Sequence, residues 1–133
     1  MYIGTTINES PVIAGRLGSD IKGDPAFLTV KFDANGDFVL SGAGEAAVGI
    51  IIPGCGENLS AGDEITVQIK DCAIAKTGAA VAKGDALATD ANGKLIKAAA
   101  GTFIFGYAIS SSDAPDGTVE VQISKSGYCP AAN

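Results

Sequence analysis

Three side chains near the start of the chain have the spacing of a calcium-binding loop. Asp33, Asn35 and Asp37 follow the DxNxD pattern that opens an EF-hand loop. That loop also needs Gly at its sixth position and Glu at its twelfth, and neither stands there in this sequence. A second DANG segment begins at Asp90, and Lys94 replaces its third acid, which would repel a cation. We therefore interpret both segments as hairpin turns and expect no metal site.

Nucleophilic side chains are present, but the groups that would activate them are missing. The chain contains no His, which removes the commonest general base and the Ser-His-Asp triad. Residues 110–113 form a polar Ser-Ser-Ser-Asp run, and Cys55 lies between glycines in the segment PGCGE. Neither segment has a base close in sequence. We expect no catalytic residues, and we expect that the protein is not an enzyme.

Two cofactor-binding patterns are incomplete in this chain. The segment SGAGEAAVG, residues 41–49, is rich in glycine but lacks the Lys-Ser/Thr of a phosphate-binding loop. Residues 83–95, KGDALATDANGKL, are similar to part of a biotinyl or lipoyl carrier domain, a small duplicated β-barrel with a modified Lys at a hairpin tip. Lys94 follows an Asn-Gly turn, but the usual sequence context of the modified Lys is absent. A carrier domain stays a second alternative, and we expect no cofactor.

The cysteines do not form a recognisable framework. Cys55, Cys72 and Cys129 contain no CxxC pair, and zinc-finger spacing requires ligands that the chain lacks. Reduced thiols are the simplest interpretation. One disulfide, or a bridge between subunits through Cys129, remains open.

The charge balance excludes several classes of partner. Nine Lys and Arg residues stand against fifteen Asp and Glu residues, which gives a formal net charge of −6. An acidic protein is poorly suited to neutralise nucleic-acid phosphates or to bind an anionic membrane. Charged residues make up only 18% of the chain, against about 25% in typical soluble domains. We expect no nucleic acid and no membrane as partners, and the low charge favours packing against other protein.

An internal duplication is the strongest pattern in the chain. Residues 33–52, DANGDFVLSGAGEAAVGIII, align without gaps with residues 90–109, DANGKLIKAAAGTFIFGYAI. The segment KGD precedes both copies, and a TVQI or EVQI segment follows them, at residues 66–69 and 120–123. Such self-similarity indicates two copies of one structural unit.

The repeated unit has the features of short β-strands. Asn-Gly pairs between alternating apolar runs predict hairpins with type I′ turns. Ile65, Val67 and Ile69 alternate with polar residues, and Phe103 to Ile109 places its aromatic residues on one face. No long window has a helical period. We predict an all-β domain of eight to ten strands with a pseudo-twofold relation between its halves, and we favour a closed or nearly closed barrel over a sandwich.

The duplication also defines the predicted domain boundaries. Residues 1–21 are expected to form an extended N-terminal arm outside the repeat. The duplicated domain spans residues 22–124, with repeat one at 22–69 and repeat two at 83–123. Residues 125–133 are expected to form a short C-terminal tail.

The order of these segments is similar to that of a known family. Residues 65–124, from ITVQIKDCAIAKTGAAVAKGDALATD through GTFIFGYAI to GTVEVQIS, resemble the phage capsid decoration or cement proteins. The hydrophobic strand, VGIII and AGDEITVQI of the first half fit as well, so the resemblance covers about residues 25–124.

This resemblance implies a structural role on the virion. Such proteins bind the major capsid protein on the outer capsid surface, often as homotrimers, and stabilise the mature shell; they are made in the bacterial host cytoplasm. A β-rich head-fibre base or receptor-binding module is the main alternative. The N-terminal arm could add a strand to a capsid sheet edge, and the capsid contacts we expect there are Tyr2, Ile3, Thr5 and Ile7.

Overall fold

The computed structural model describes residues 10–130, and in this range all regular elements are β-strands. The all-β prediction and the predicted number of strands are confirmed. The strands are β1 (Val12–Arg16), β2 (Thr29–Phe32), β3 (Phe38–Leu40), β4 (Gly49–Ile51), β5 (Glu64–Gln68), β6 (Asp71–Lys76), β7 (Ala86–Thr89), β8 (Leu95–Lys97), β9 (Phe103–Ala108) and β10 (Thr118–Tyr128).

The strand order confirms the duplication. The strands form two five-stranded sheets with the orders β1-β5-β4-β2-β3 and β6-β10-β9-β7-β8. Adding five to each strand number of the first sheet gives the second, and every ladder between named strands is antiparallel. We call β1–β5 repeat one and β6–β10 repeat two. Each repeat therefore starts one strand earlier than the predicted boundaries at residues 22 and 83.

The expectation of a closed or nearly closed barrel is wrong. The strands separate into two sheets that pack in a sandwich-like arrangement. Within each sheet, the two edge strands approach one another at a single parallel bridge, Leu17 to Phe38 in repeat one and Thr77 to Leu95 in repeat two. The edge strands of each sheet are thus partly covered within their own repeat, so covering them does not require one barrel that includes both repeats.

Each repeat has its own apolar core, and the second core extends into the first repeat. The core of repeat one is built from Leu17, Ile21, Val30, Phe38, Ile51, Leu59, Ile65 and Val67. The core of repeat two includes Leu87, Leu95, Phe105, Val119 and Val121, together with Ala47 and Ile50 of repeat one. These two residues join the sheets into one folded unit.

Both Asn-Gly hairpins form, but the turn differs from the predicted type I′. In that turn both central residues have positive φ, whereas Gly36 and Gly93 have a φ of 78° and Asn35 and Asn92 are not in that region. The carboxylate of Asp33 accepts hydrogen bonds from the backbone N–H groups of Asn35 (2.8 Å) and Asp37 (2.9 Å). This side-chain bonding selects a wider turn that places only the glycine in the left-handed region.

The ends of the predicted domain also need correction. Residues 12–21 are not an extended arm, because β1 pairs with β5 and Leu17 is 1% exposed. Residues 125–128 are not a tail, because β10 continues to Tyr128 after a register shift beyond Ile123. The sequence pattern predicts an end at residue 124, because the irregularity between Ile123 and Gly127 interrupts the alternation of apolar and polar residues.

Strand β9 is covered on both faces along part of its length. The sequence pattern places Phe103, Phe105, Tyr107 and Ile109 on one face of this strand. Phe105 is fully buried, whereas Tyr107 is 39% exposed, and Ile104 on the opposite face is also buried. Ile104 and Phe105 lie on opposite faces and both are covered, so the burial pattern of β9 does not alternate.

Candidate binding surfaces

The carboxylates that suggested calcium binding organise turns instead. Asp90 repeats the geometry of Asp33 by accepting bonds from the N–H groups of Asn92 (2.8 Å) and Lys94 (3.0 Å). In residues 10–130, no group of three or more Cys, Asp or Glu side chains is arranged to hold a metal ion. The arrangement of each Asp is explained by its turn.

Lys94, the residue at the hairpin tip of the carrier-domain alternative, forms an ion pair with Asp116. The hydrogen bond and the opposite charge raise the pKa of Lys94 and lower the pKa of Asp116. A second ion pair joins Lys31 to Glu45, and the bond from Lys31 lowers the pKa of Glu45. Glu45 also accepts a bond from the Gly42 backbone N–H at 2.6 Å, so it shapes the loop before β4.

The candidate nucleophiles also hold loops. Ser110 Oγ accepts a bond from the Glu120 N–H (2.9 Å), and Ser111 Oγ accepts one from the Lys83 N–H (3.0 Å). Cys55 is half-buried and its sulfur lies 3.5 Å from the backbone nitrogen of Thr66. Cys55, Cys72 and Cys129 are all free thiols in this structure. None of these contacts is of a kind that activates a nucleophile.

Backbone hydrogen bonds connect the two repeats at a well-defined junction. The loop before β4 donates from the Gly44 N–H to the Thr89 carbonyl oxygen (2.9 Å) and accepts at the Gly44 carbonyl oxygen from the Phe103 N–H (3.1 Å). The tip of the second hairpin reaches repeat one, where the Gly93 carbonyl oxygen accepts from the Thr29 N–H (2.8 Å). These bonds fix the relative position of the two sheets.

A cleft of about 410 Å³ opens beside this junction. Most of its lining is apolar, and Glu120 is the charged residue on its wall. Exposed Ile74, 42% accessible, lies on the β6 side. The complete lining is Phe27, Ile50, Ile51, Ile52, Pro53, Gln68, Cys72, Ala73, Ile74 and Glu120.

Large apolar side chains also reach the surface outside the cleft. Tyr128 is 64% exposed and contacts Phe103 edge to face, with ring centroids 5.4 Å apart. Phe32 is 48% exposed and stacks on buried Phe38 at 4.8 Å. The sequence alone does not identify Phe32 and Tyr128 as surface contacts, because an exposed aromatic residue in a strand cannot be distinguished there from a buried one.

The capsid contacts predicted from sequence, Tyr2, Ile3, Thr5 and Ile7, lie outside the described residues. At the start of the described residues, the Pro11 carbonyl oxygen accepts a bond from the Ile69 N–H (2.8 Å), and β1 forms an edge of its sheet among the described strands. Val12 pairs with Gln68, which also lines the cleft. In residues 10–130 the structure has no helix long and apolar enough to cross a membrane.

Comparison with known proteins gives two findings. Residues 28–123 match the family model described as phage cement protein. Among solved structures, the fold is similar to "the crystal structure of head fiber gp8.5 N base in bacteriophage phi29", with a TM-score of 0.64 and 17% sequence identity. That likeness covers 89% of this chain and 97% of the other. No curated protein matches this chain.

Proposed function

Because this chain belongs to the phage cement protein family and is thus a capsid-associated structural protein, we propose that it binds the outer surface of the capsid and stabilises the mature shell. The observation that carries this proposal is the family match over residues 28–123. The match runs from β2 of repeat one into β10 of repeat two, so it includes strands of both repeats. The bound partner in this proposal is the major capsid protein.

The surface of the molecule supports a binding role without catalysis. Its exposed aromatic residues and its apolar cleft can contact other protein, whereas Ser110, Ser111, Asp33 and Asp90 are occupied in turns and loops. A single small module gains little from each contact, but many copies that bridge neighbouring capsid subunits stabilise a shell through multivalency. We propose that three copies associate as a homotrimer and that the protein is made in the host cytoplasm before it joins the virion.

The N-terminal arm is the part of the chain that we propose contacts the capsid first. Residues 1–9 precede edge strand β1, and Tyr2, Ile3 and Ile7 supply apolar side chains in this segment together with Met1. A segment of this kind binds by adding a strand to an exposed sheet edge, where backbone bonds give affinity and alternate side chains give specificity. Thr5 would lie on the same strand.

Co-sedimentation with purified capsids tests this proposal. We expect the full chain to pellet with expanded capsids at a fixed number of copies per capsid. A variant with Tyr2, Ile3 and Ile7 replaced by Ser should lose at least about tenfold in affinity, because the apolar side chains that the capsid would bury are then absent. The control variant removes residues 131–133 at the other end and should bind normally. Full binding by the Ser variant would contradict the arm proposal alone, and failure of the intact chain to pellet would contradict capsid binding.

A head-fibre base is a second candidate function, favoured by the fold likeness to the phi29 head fiber gp8.5 N base. In this role the module would attach a further protein or segment to the capsid. Capsids carrying the bound protein would then retain a fibre protein from the same phage, and bare capsids would not. Equal retention by decorated and bare capsids would rule this function out.

A further inference from the structure

The junction between the repeats is not reciprocal. In a two-fold arrangement each contact occurs twice, with the roles of the two partners exchanged. Thr29 of repeat one receives the tip of the second hairpin at Gly93, and the equivalent contact would join Ala86 to Gly36. Among the described residues that contact is absent, and a Cβ added at Gly36 would meet nothing within 4 Å. The repeats are therefore packed head to tail, which differs from the pseudo-twofold relation that the duplication predicted.

A head-to-tail junction joins two different surfaces. Repeat one contributes the surface formed by Thr29, the loop Gly42–Gly44, Ala47 and Ile50, and repeat two contributes Thr89, Gly93, Phe103 and Phe105. We call these the two junction faces. Because the repeats share one fold, each junction face has an equivalent on the other repeat, 57 positions away in sequence.

The equivalent surfaces are largely exposed. We call them the free faces: Ala86, Ala99–Gly101, Ile104 and Tyr107 on repeat two, and Phe32, Gly36, Ala46 and Val48 on repeat one. Ile104 is buried where β9 pairs with the end of β10, and Ala86 and Val48 are half-buried. Ile50 is 2% exposed in the junction, whereas its equivalent Tyr107 is 39% exposed. Thr89 is 1% exposed, whereas its equivalent Phe32 is 48% exposed. Large apolar side chains thus occupy the positions that the junction buries.

We propose that the free face of repeat two binds the free face of repeat one on a second copy of this chain. The chain itself indicates a second copy as the occupant, since the two junction faces, which are equivalent to the free faces, already bind each other. A head-to-tail interface closes into a ring when its rotation allows, and otherwise extends into a filament. Three chains in a ring would place six similar repeats around one axis. This inference rests on the homotrimer in the proposed function and specifies its interface.

The free face of repeat two differs from its equivalent junction face in one backbone hydrogen bond. Within the chain, the Gly44 N–H bonds to repeat two, whereas the equivalent Gly101 N–H bonds to the Cys129 carbonyl oxygen at 2.9 Å. The end of β10 therefore takes the place of one backbone contact, and Tyr128 enlarges the apolar surface beside it. The contact between copies then depends on side chains, above all Phe32 and Tyr107, more than the junction does.

Two charge substitutions test the interface in solution, without capsids. Phe32→Asp and Tyr107→Asp each damage one free face, and Thr118→Asp is the control, because Thr118 is exposed on β10 outside both faces and outside the cleft. We expect the wild-type chain to self-associate in sedimentation analysis and each face variant to self-associate about tenfold more weakly. The Thr118→Asp variant should behave as the wild type does. Ala46→Asp and Ala100→Asp, at exposed loop positions, repeat the test with little effect on the fold.

Mixing the variants distinguishes head-to-tail binding from every symmetric alternative. Phe32→Asp retains an intact repeat-two face and Tyr107→Asp retains an intact repeat-one face, so the mixture should form a one-to-one complex that grows no further. A mixture that stays monomeric while both variants remain folded by circular dichroism would overturn the inference, as would a wild-type chain that is monomeric at all concentrations. Capsid binding is measured separately, so its failure would leave this result unaffected.

Discussion

Thr29 and Gly93 connect the two repeats through a single carbonyl oxygen. The backbone N–H of Thr29 and its hydroxyl both donate to the Gly93 oxygen, at 2.8 and 2.9 Å. Thr29 is fully buried in β2, and Gly93 lies at the tip of the second hairpin with a φ of 78°. The hairpin that begins at Asp90 therefore has two roles: it joins β7 to β8, and it fastens repeat two to repeat one.

Replacing Thr29 by Val removes the hydroxyl bond and keeps the side-chain shape. We expect a loss of about 1 kcal/mol in the free energy of unfolding, because the Gly93 oxygen keeps its bond from the backbone N–H. Urea unfolding measures the change. Thr118→Val, at an exposed position of β10, is the matched control and should change stability little. Equal effects of the two substitutions would contradict the role assigned to Thr29.

Gly49 and Gly106 are equivalent positions where two strands approach closely. A Cβ at Gly49 would lie 2.3 Å from the Gln68 carbonyl oxygen, and one at Gly106 would lie 2.2 Å from that of Gln122. We expect Gly49→Ala and Gly106→Ala each to cost about 1–3 kcal/mol or more, since backbone atoms must move. Gly101→Ala separates this clash from backbone strain, because it has a positive φ but open space around it. Thermal unfolding in which all three variants match the wild type would contradict this packing.

Sequence predicts the parts of the fold that depend on local patterns. The DANG segments at Asp33 and Asp90 correctly predict the β2–β3 and β7–β8 hairpins. The alternation that includes Ile65 and Val67 correctly predicts the buried face of β5. The sequence pattern places the first strand of repeat one in the arm, because β1 and β6 share little beyond small residues and the glycines that follow, Gly18 and Gly78. Their equivalence is visible only when the sheet places both strands beside β5 or β10.

The candidate surfaces were harder to predict than the strands. Phe105 and Tyr107 lie two positions apart on β9, and alternation gives them the same environment. Phe105 belongs to the buried cluster that also contains Ala47 and Ile50 of the other repeat, whereas Tyr107 lies outside it, and this difference depends on how the two sheets pack. Sequence periodicity reports the faces of a strand but carries no information on which part of a face another unit covers.

Asp33 and Asp90 should contribute equally to their turns. Asp33→Ala removes two hydrogen bonds to backbone N–H groups, and we expect a loss of about 1–2 kcal/mol, similar to the loss of a helix cap. Asp33→Asn keeps an acceptor oxygen and should restore most of the stability. Denaturant midpoints measure both variants. If Asn were as destabilising as Ala, a charge-dependent role such as cation binding would replace the turn role, and calcium titration by calorimetry would then show heat.

The Lys31–Glu45 pair should make the free energy of unfolding depend on pH. The pKa of Glu45 is lowered from its usual 4.5 in the folded state, first by the bond from Lys31. Its contribution is therefore present above pH 4.5 and is lost as pH falls through the lower folded pKa. Glu45→Gln should cost less than about 1 kcal/mol at neutral pH, because the pair is partly exposed. The difference between the two proteins in urea should shrink at low pH, and a constant difference would contradict the assignment.

Electron cryomicroscopy of expanded capsids, incubated with and without the protein, tests the capsid role most directly. The account predicts additional density of this β fold at fixed positions over the whole outer surface, contacting the major capsid protein. Capsids that show no additional density at saturating protein, or density confined to the inside of the shell, would contradict it.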